Sequence, residues 1–220
     1  MPAASSGSPA ARSTRLSSPV AERATLVPRS FFDRPAPEVA PELLRKVLIV
    51  GDCAVRIVET EAYTEDDPAS HSFRGQTKRN ASMFGPPGHL YVYFTYGMHW
   101  CANIVCGPSG CGEAVLLRAG EPLRGLEAML ARRPIRQSGR RQYDLTNGPA
   151  KLTSALGIDR LHDGLDLCRD DAFARIVDDA TLRPRAPVIT SRIGIRVATE
   201  RKWRWAVADS VWVSRRGPSN

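Results

Sequence analysis

Large apolar side chains are nearly absent from the first 27 positions, where Ala, Ser, Pro and Arg dominate. Such a stretch buries too little surface to offset the entropy of ordering. Residues 1–27 are therefore expected to form a disordered tail, with one folded domain over residues 28–220. Between Pro37 and Val50 a proline-rich start leads into Leu43, Leu44, Val47 and Leu48 at the spacing of one helix face, which predicts a helix. Gly51-Asp52 then turns the chain into Val55–Tyr63, which alternates as a strand does. If that strand stays extended, Val55, Ile57, Glu59, Glu61 and Tyr63 share one face. A face that changes from apolar to acidic predicts a strand running from the core into a site.

A polar loop, Thr64–Asn80, precedes the turn-forming run Met83-Phe84-Gly85-Pro86-Pro87-Gly88, which displays two large apolar side chains. His89–Tyr96 reads as an aromatic strand. Cys101–Val105 and Ala114–Ala119 read as two more strands, parted by a glycine-rich turn over Gly107–Gly112. Leu123, Leu126 and Leu130 mark an amphipathic helix over Glu121–Arg132. A further helix is expected through Leu156, with Asn147 as its cap and Pro149 in its first turn. Strand character returns over Ile189–Val197 and Val211–Ser214. Strands and helices do not alternate regularly, so the expected class is α+β: a curved, mostly antiparallel sheet or partial barrel with surrounding helices.

A chain of 220 residues suits one sizeable domain. It has no apolar run near the ~18 residues of a membrane span, and no basic-then-apolar leader. The expectation is a cytosolic or nuclear protein without a membrane partner. Its five cysteines form no CxxC pair, and Cys101, Cys106 and Cys111 step by five, so reduced thiols are expected rather than a metal site. The net charge is +8, yet only Lys46, Lys78, Lys151 and Lys202 are lysines. Arginine in such excess suits phosphate contacts. A GC-rich genome explains it equally well, so charge alone decides little. The arginines of Arg132–Arg141 read more simply as a solvated loop than as a DNA contact.

Glu61, Tyr63 and His71 bring a general base close to two flat rings, and the strand Leu90–Trp100 adds more aromatic surface. Flat rings suit a nucleobase, which stacks through its π-face. Taken singly, these residues have plainer readings as a solvated strand-end acid and core tyrosines. Arg118 shares a strand face with Ala114 and Leu116. Turned inward it needs an anion, and Glu61 is a candidate whose ionised form it would favour, as a water-activating base requires. Pairing with any surface acid is the alternative.

Several blocks are more specific together than any one alone. ETEAY (Glu59–Tyr63) with His71-Ser72, RNASMF (Arg79–Phe84), PGHLYVYFTYGMHWCANI (Pro87–Ile104), AVLLRAGEPLRGLEAM (Ala114–Met129) and NGPAKL (Asn147–Leu152) lie in one order. Together they resemble the alkyladenine (3-methyladenine) DNA glycosylase family from about Pro28 onward. The resemblance implies a single mixed α/β domain and a monomeric enzyme that needs no cofactor and acts on double-stranded DNA carrying damaged purines. It implies Glu61 as general base, with Arg118 helping to hold the attacking water. Tyr63 and His71 would sandwich the extruded base, Tyr93 would complete the pocket, and Asn103 would disfavour normal guanine. Tyr96 would wedge into the duplex, with Met83 and Phe84 nearby.

Two other readings compete. Glu59, Glu61, Asp66 and Asp67 could hold a divalent cation in a nuclease. The aromatic strand could also serve a non-catalytic nucleic-acid binder. Lys151 reads as a phosphate contact or a helix-surface residue, so base removal without strand cleavage is expected.

Overall fold

The computed structural model describes residues 24–135 and 142–214. Its elements are β1 (Thr25–Leu26), α1 (Arg29–Phe32), α2 (Ala36–Glu42), β2 (Val47–Val50), β3 (Cys53–Tyr63), β4 (Leu90–Thr95), β5 (His99–Cys106), β6 (Glu113–Arg124), α3 (Leu126–Arg132), α4 (Pro149–Leu156), β7 (Ala174–Asp178), β8 (Val188–Thr190) and β9 (Arg204–Ala206). The strands join in one curled antiparallel sheet in the order β1-β7-β2-β3-β6-β5-β4, with the β8–β9 pair added to β3. This is the expected α+β half-barrel.

Several boundaries differ from the sequence reading. Thr25 and Leu26 pair with Asp178 and Val177, so the fold begins before Pro28; residues 1–23 lie outside the described residues. The helix expected over Pro37–Val50 ends at Glu42, and Val47–Val50 instead form β2 between β3 and β7. Their apolar spacing fits a strand buried by two neighbours as well as a helix face. Likewise, Glu121–Arg124 extend β6 along β3, and the next helix starts only after Gly125. Ile189–Val197 is strand only at its start, and Val211–Ser214 forms no strand. Gly148 rather than Asn147 caps α4; Asn147 Oδ1 accepts a hydrogen bond from Lys151 instead. Most of the Arg132–Arg141 loop, residues 136–141, lies outside the described residues.

An irregularity in β3 decides which residues reach the cavity. The β3–β6 register shifts between Ile57 and Glu59, and again between Glu59 and Thr60. Val58 is skipped on β3 and Arg118 on β6. Ile57 and Val58 therefore both enter the main core, although a regular strand sends neighbours to opposite faces. Val55 and Ile57 face the core before the shift; Val58 and Ala62 do so after it. Glu59, Glu61 and Tyr63 are thereby turned to the other face, away from Val55 and Ile57, contrary to the single shared face expected. A one-residue slip inverts every later side chain.

Helices α2, α3 and α4 cover the core face, where Val39, Ala40, Met129, Leu152 and Leu156 pack on Ile57, Ile104 and Leu117. Alternation along β4, β5 and β6 sends Leu90, Val92, Ala102, Ile104, Val115 and Leu117 into that core. Their neighbours Tyr91, Tyr93, Asn103, Leu116 and Arg118 line the opposite side.

Candidate active site

On that opposite side lies a cavity of about 330 Å³. Its wall is formed by Tyr63 from β3, the β4–β5 hairpin, Leu116 and Arg118 from β6, His71, the start of α4 and the segment Ile193–Ile195.

Glu61 is fully buried behind this wall. Its Oε2 accepts hydrogen bonds from Arg118 Nη1 at 3.1 Å and the Tyr63 hydroxyl at 2.9 Å. Its Oε1 accepts from the Ile193 N–H at 2.7 Å. All three donors belong to residues on the cavity wall. Arg118 also donates through Nε to Glu59, at 2.9 Å. Burial works against the Arg118 charge, but Glu61 and Glu59 outweigh it and hold the guanidinium protonated. Burial and the adjacent Glu61 carboxylate push the Tyr63 phenol well above its usual range, so it stays a donor.

Tyr63 is fixed from behind. The Arg192 guanidinium lies 4.6 Å from its ring centroid, and Arg192 is itself paired with Asp67, both side chains fully buried. Arg192 also donates to the Ala62 carbonyl. One residue later comes the amide that reaches Glu61, so a single ion pair anchors both the Tyr63 ring and that donor.

His71 docks on the hairpin. Its Nδ1 lies 2.9 Å from the Tyr91 hydroxyl, and its ring meets Tyr93 edge-on at 4.5 Å. Burial, reinforced by Arg79, lowers the His71 pKa and favours a neutral ring. Burial also pushes the Tyr93 phenol and the Cys101 thiol upward. Asn103 is buried on the cavity wall with Nδ2 donating to the Tyr91 carbonyl at 3.1 Å.

Tyr96 stands at the hairpin tip, 82% exposed and with a φ of +52°. Met83 and Phe84 are buried rather than displayed. The turn Ala81–Phe84 folds both inward onto Tyr91, Val105 and Ala114, so Met83 lines the cavity from the interior and Phe84 sits in the core. Neither side chain is displayed as the turn-forming run suggested, although Met83 shares the cavity with Tyr96. Gly112 is required here, since a Cβ on it would lie 2.4 Å from Ser72 and 2.7 Å from Phe84.

The sequence reading assigned no role to Arg192, Ile193, Arg204 or Ser214. They lie more than 120 residues from Glu59 and Glu61, and the pairing of β9 with β3 and of Arg192 with Asp67 brings that part of the chain to the site. Lys151 donates to Asp144 and Asn147. The five cysteines are free thiols, and no group of metal-ligating side chains assembles among the described residues.

The methylpurine-DNA glycosylase family model matches residues 30–211. A protein of Burkholderia cenocepacia named "Putative 3-methyladenine DNA glycosylase" is 57% identical over 193 residues, covering 86% of this chain and 91% of its own. Proteins with the same name from Granulibacter bethesdensis and Agrobacterium fabrum are 50% and 47% identical, each covering 86% of this chain and 88% and 93% of their own. With the match spanning both walls of the cavity, the chain belongs to the methylpurine-DNA glycosylase family and is a DNA glycosylase.

Proposed function

We propose that the enzyme, acting as a monomer, takes a damaged purine out of duplex DNA into this cavity and hydrolyses its N-glycosidic bond. The substrates would be 3-methyladenine, 7-methylguanine, hypoxanthine and ethenoadenine. The observation that carries this reading is the buried Glu61, held by donors from three residues that border the cavity.

Extruding a nucleotide costs a few kcal/mol, least where the base is damaged or mispaired. Tyr96 offsets part of that by filling the vacated stack. Tyr63, His71 and Tyr93 grip the base, and Asn103 stands against the amino group of a normal guanine. As the bond breaks, its electron pair leaves with the base and positive charge develops at the sugar. Water adds to the sugar carbon from the opposite face, and Glu61 takes its proton, as in inverting glycoside hydrolysis. Oε2 is committed to Arg118 and Tyr63, while among the described residues Oε1 accepts only from the Ile193 N–H and retains a lone pair for that water.

The nuclease reading loses support because its acids face arginines: Glu59 meets Arg118 and Arg204, Asp66 meets Arg201, and Asp67 meets Arg192. The test is release of bases from duplexes carrying each lesion, with alkali revealing abasic sites, in the presence of EDTA. The Glu61→Gln variant should lose about 10²–10⁴-fold in turnover while still binding the lesion duplex. Full turnover by this variant, or no base released by the unaltered enzyme, would refute the proposal.

A further inference from the structure

Glu59 is a fully buried carboxylate with no part in the reaction above. Its Oε1 accepts from Arg118 Nε at 2.9 Å, Arg204 Nε at 2.7 Å and the Ser214 hydroxyl at 2.7 Å; its Oε2 accepts from the Ser214 N–H at 2.6 Å. Burial opposes its charge, but Arg118 and Arg204 prevail and hold the carboxyl below its usual range. The buried set is balanced: two guanidiniums, Arg118 and Arg204, against two carboxylates, Glu59 and Glu61.

An arginine facing one carboxylate tends to pair bidentately, engaging both oxygens. Such a pair would commit Glu61 Oε1 and Oε2 together. Here Glu59 occupies Nε, and Arg118 meets Glu61 through Nη1 alone, on Oε2. We propose that Glu59 is a positioning residue for the glycosylase reaction, holding Arg118 in a one-bond contact that leaves Glu61 Oε1 for water. Ser214 clamps Glu59 in place and thereby ties the end of the described chain to the site. This rests on the reading of Glu61 as the base.

The groups facing Glu61 are Glu59 and Tyr63 on its own strand, Arg118 on β6, Arg204 opposite it on β9, and Tyr93 and Cys101 from the hairpin. Burial favours the neutral forms of the last two.

The experiment measures kcat, KM and lesion-duplex Kd for Glu59→Gln in the full chain on hypoxanthine duplex. A fall in kcat of about tenfold or more is expected, with KM and Kd within about threefold. In Glu59→Gln/Arg204→Gln the charges balance again, so this variant keeps the fold testable should the single one fail to fold. Its kcat should also stay low, with KM and Kd within about threefold of the unaltered enzyme. Full kcat in either folded variant, with Glu61→Gln inactive, would overturn the role of Glu59 and leave the base assignment intact.

Discussion

The two sides of the cavity are built on opposite principles. The β3–β6–β9 wall carries Glu59, Glu61, Arg118 and Arg204, all buried and mutually paired. The β4–β5 hairpin grades from buried Tyr91 and Asn103 at its base to exposed Phe94, Tyr96 and Met98 toward its tip. A charge that must act in a fixed direction needs a low-dielectric surround and partners for every lone pair. A surface that must enter a duplex needs apolar side chains still lacking a partner. The contrast implies that substitutions in the wall affect turnover and stability, whereas those at the tip affect the hold on DNA.

The strongest way to break that comparison is Arg118→Met. It leaves Glu59 and Glu61 facing each other with one cation removed, and losing one partner of a buried pair costs about 3–5 kcal/mol. Urea denaturation should show a loss of that order, and turnover should fall with it. In the Glu59→Gln/Glu61→Gln background the same substitution should cost far less, because no buried anion is abandoned. Equal losses in both backgrounds would mean that the wall is held by packing rather than by charge.

The sequence revealed the two sides unequally. The aromatic run His89–Tyr96 marked its strand directly, and there Leu90 and Val92 enter the core while Tyr91 and Tyr93 face the cavity. Arg118 was identifiable from its place on the Ala114–Leu116 face. The β3 shift at Val58 was not, because a bulge inserts a residue without changing composition, so Glu59 and Glu61 were assigned to the face of Val55 and Ile57. Met83 and Phe84 showed a similar limit: a turn rich in Gly and Pro gives no direction to its side chains, and these point inward. Arg192, Arg204 and Ser214 carry no local signal, because their roles arise from contacts with β3 and its following loop across more than 120 residues.

The tip allows a smaller and opposite effect on stability. Tyr96 holds a left-handed backbone conformation, which costs a non-glycine residue about 1–2 kcal/mol. Glycine relieves that strain but loses more entropy on folding, so Tyr96→Gly should gain about 0.5–1 kcal/mol in urea denaturation. Loss of the ring should weaken lesion-duplex binding about tenfold, given ~1–3 kcal/mol for an aromatic stacked on a base. Strain retained at a DNA-facing tip would then be a cost of function. Unchanged DNA affinity would remove Tyr96 from the interface and collapse the distinction between the two sides.

The smallest effect separates the sides by pH. Folding lowers the His71 pKa through burial and through Arg79, so between that value and the ordinary ~6.5 the folded state binds fewer protons than the unfolded one. Stability from this source rises with pH in that window and is lost on acidification below ~6.5, until folded His71 also titrates. Glu59 acts in a lower window. Its folded value lies below the carboxylate range, so its contribution is present above the unfolded value and disappears as pH falls through the folded one. Thermal denaturation at pH 7, 6 and 5 should therefore show a smaller acid-induced drop in Tm for His71→Gln than for the unaltered protein, with His89, His99 and His162 cancelling in the comparison. Glu59→Gln should differ from the unaltered protein in its pH dependence only nearer pH 4 and below. Parallel Tm curves for His71→Gln and the unaltered protein from pH 7 to 5 would show that the hairpin side does not discriminate against a charged imidazole.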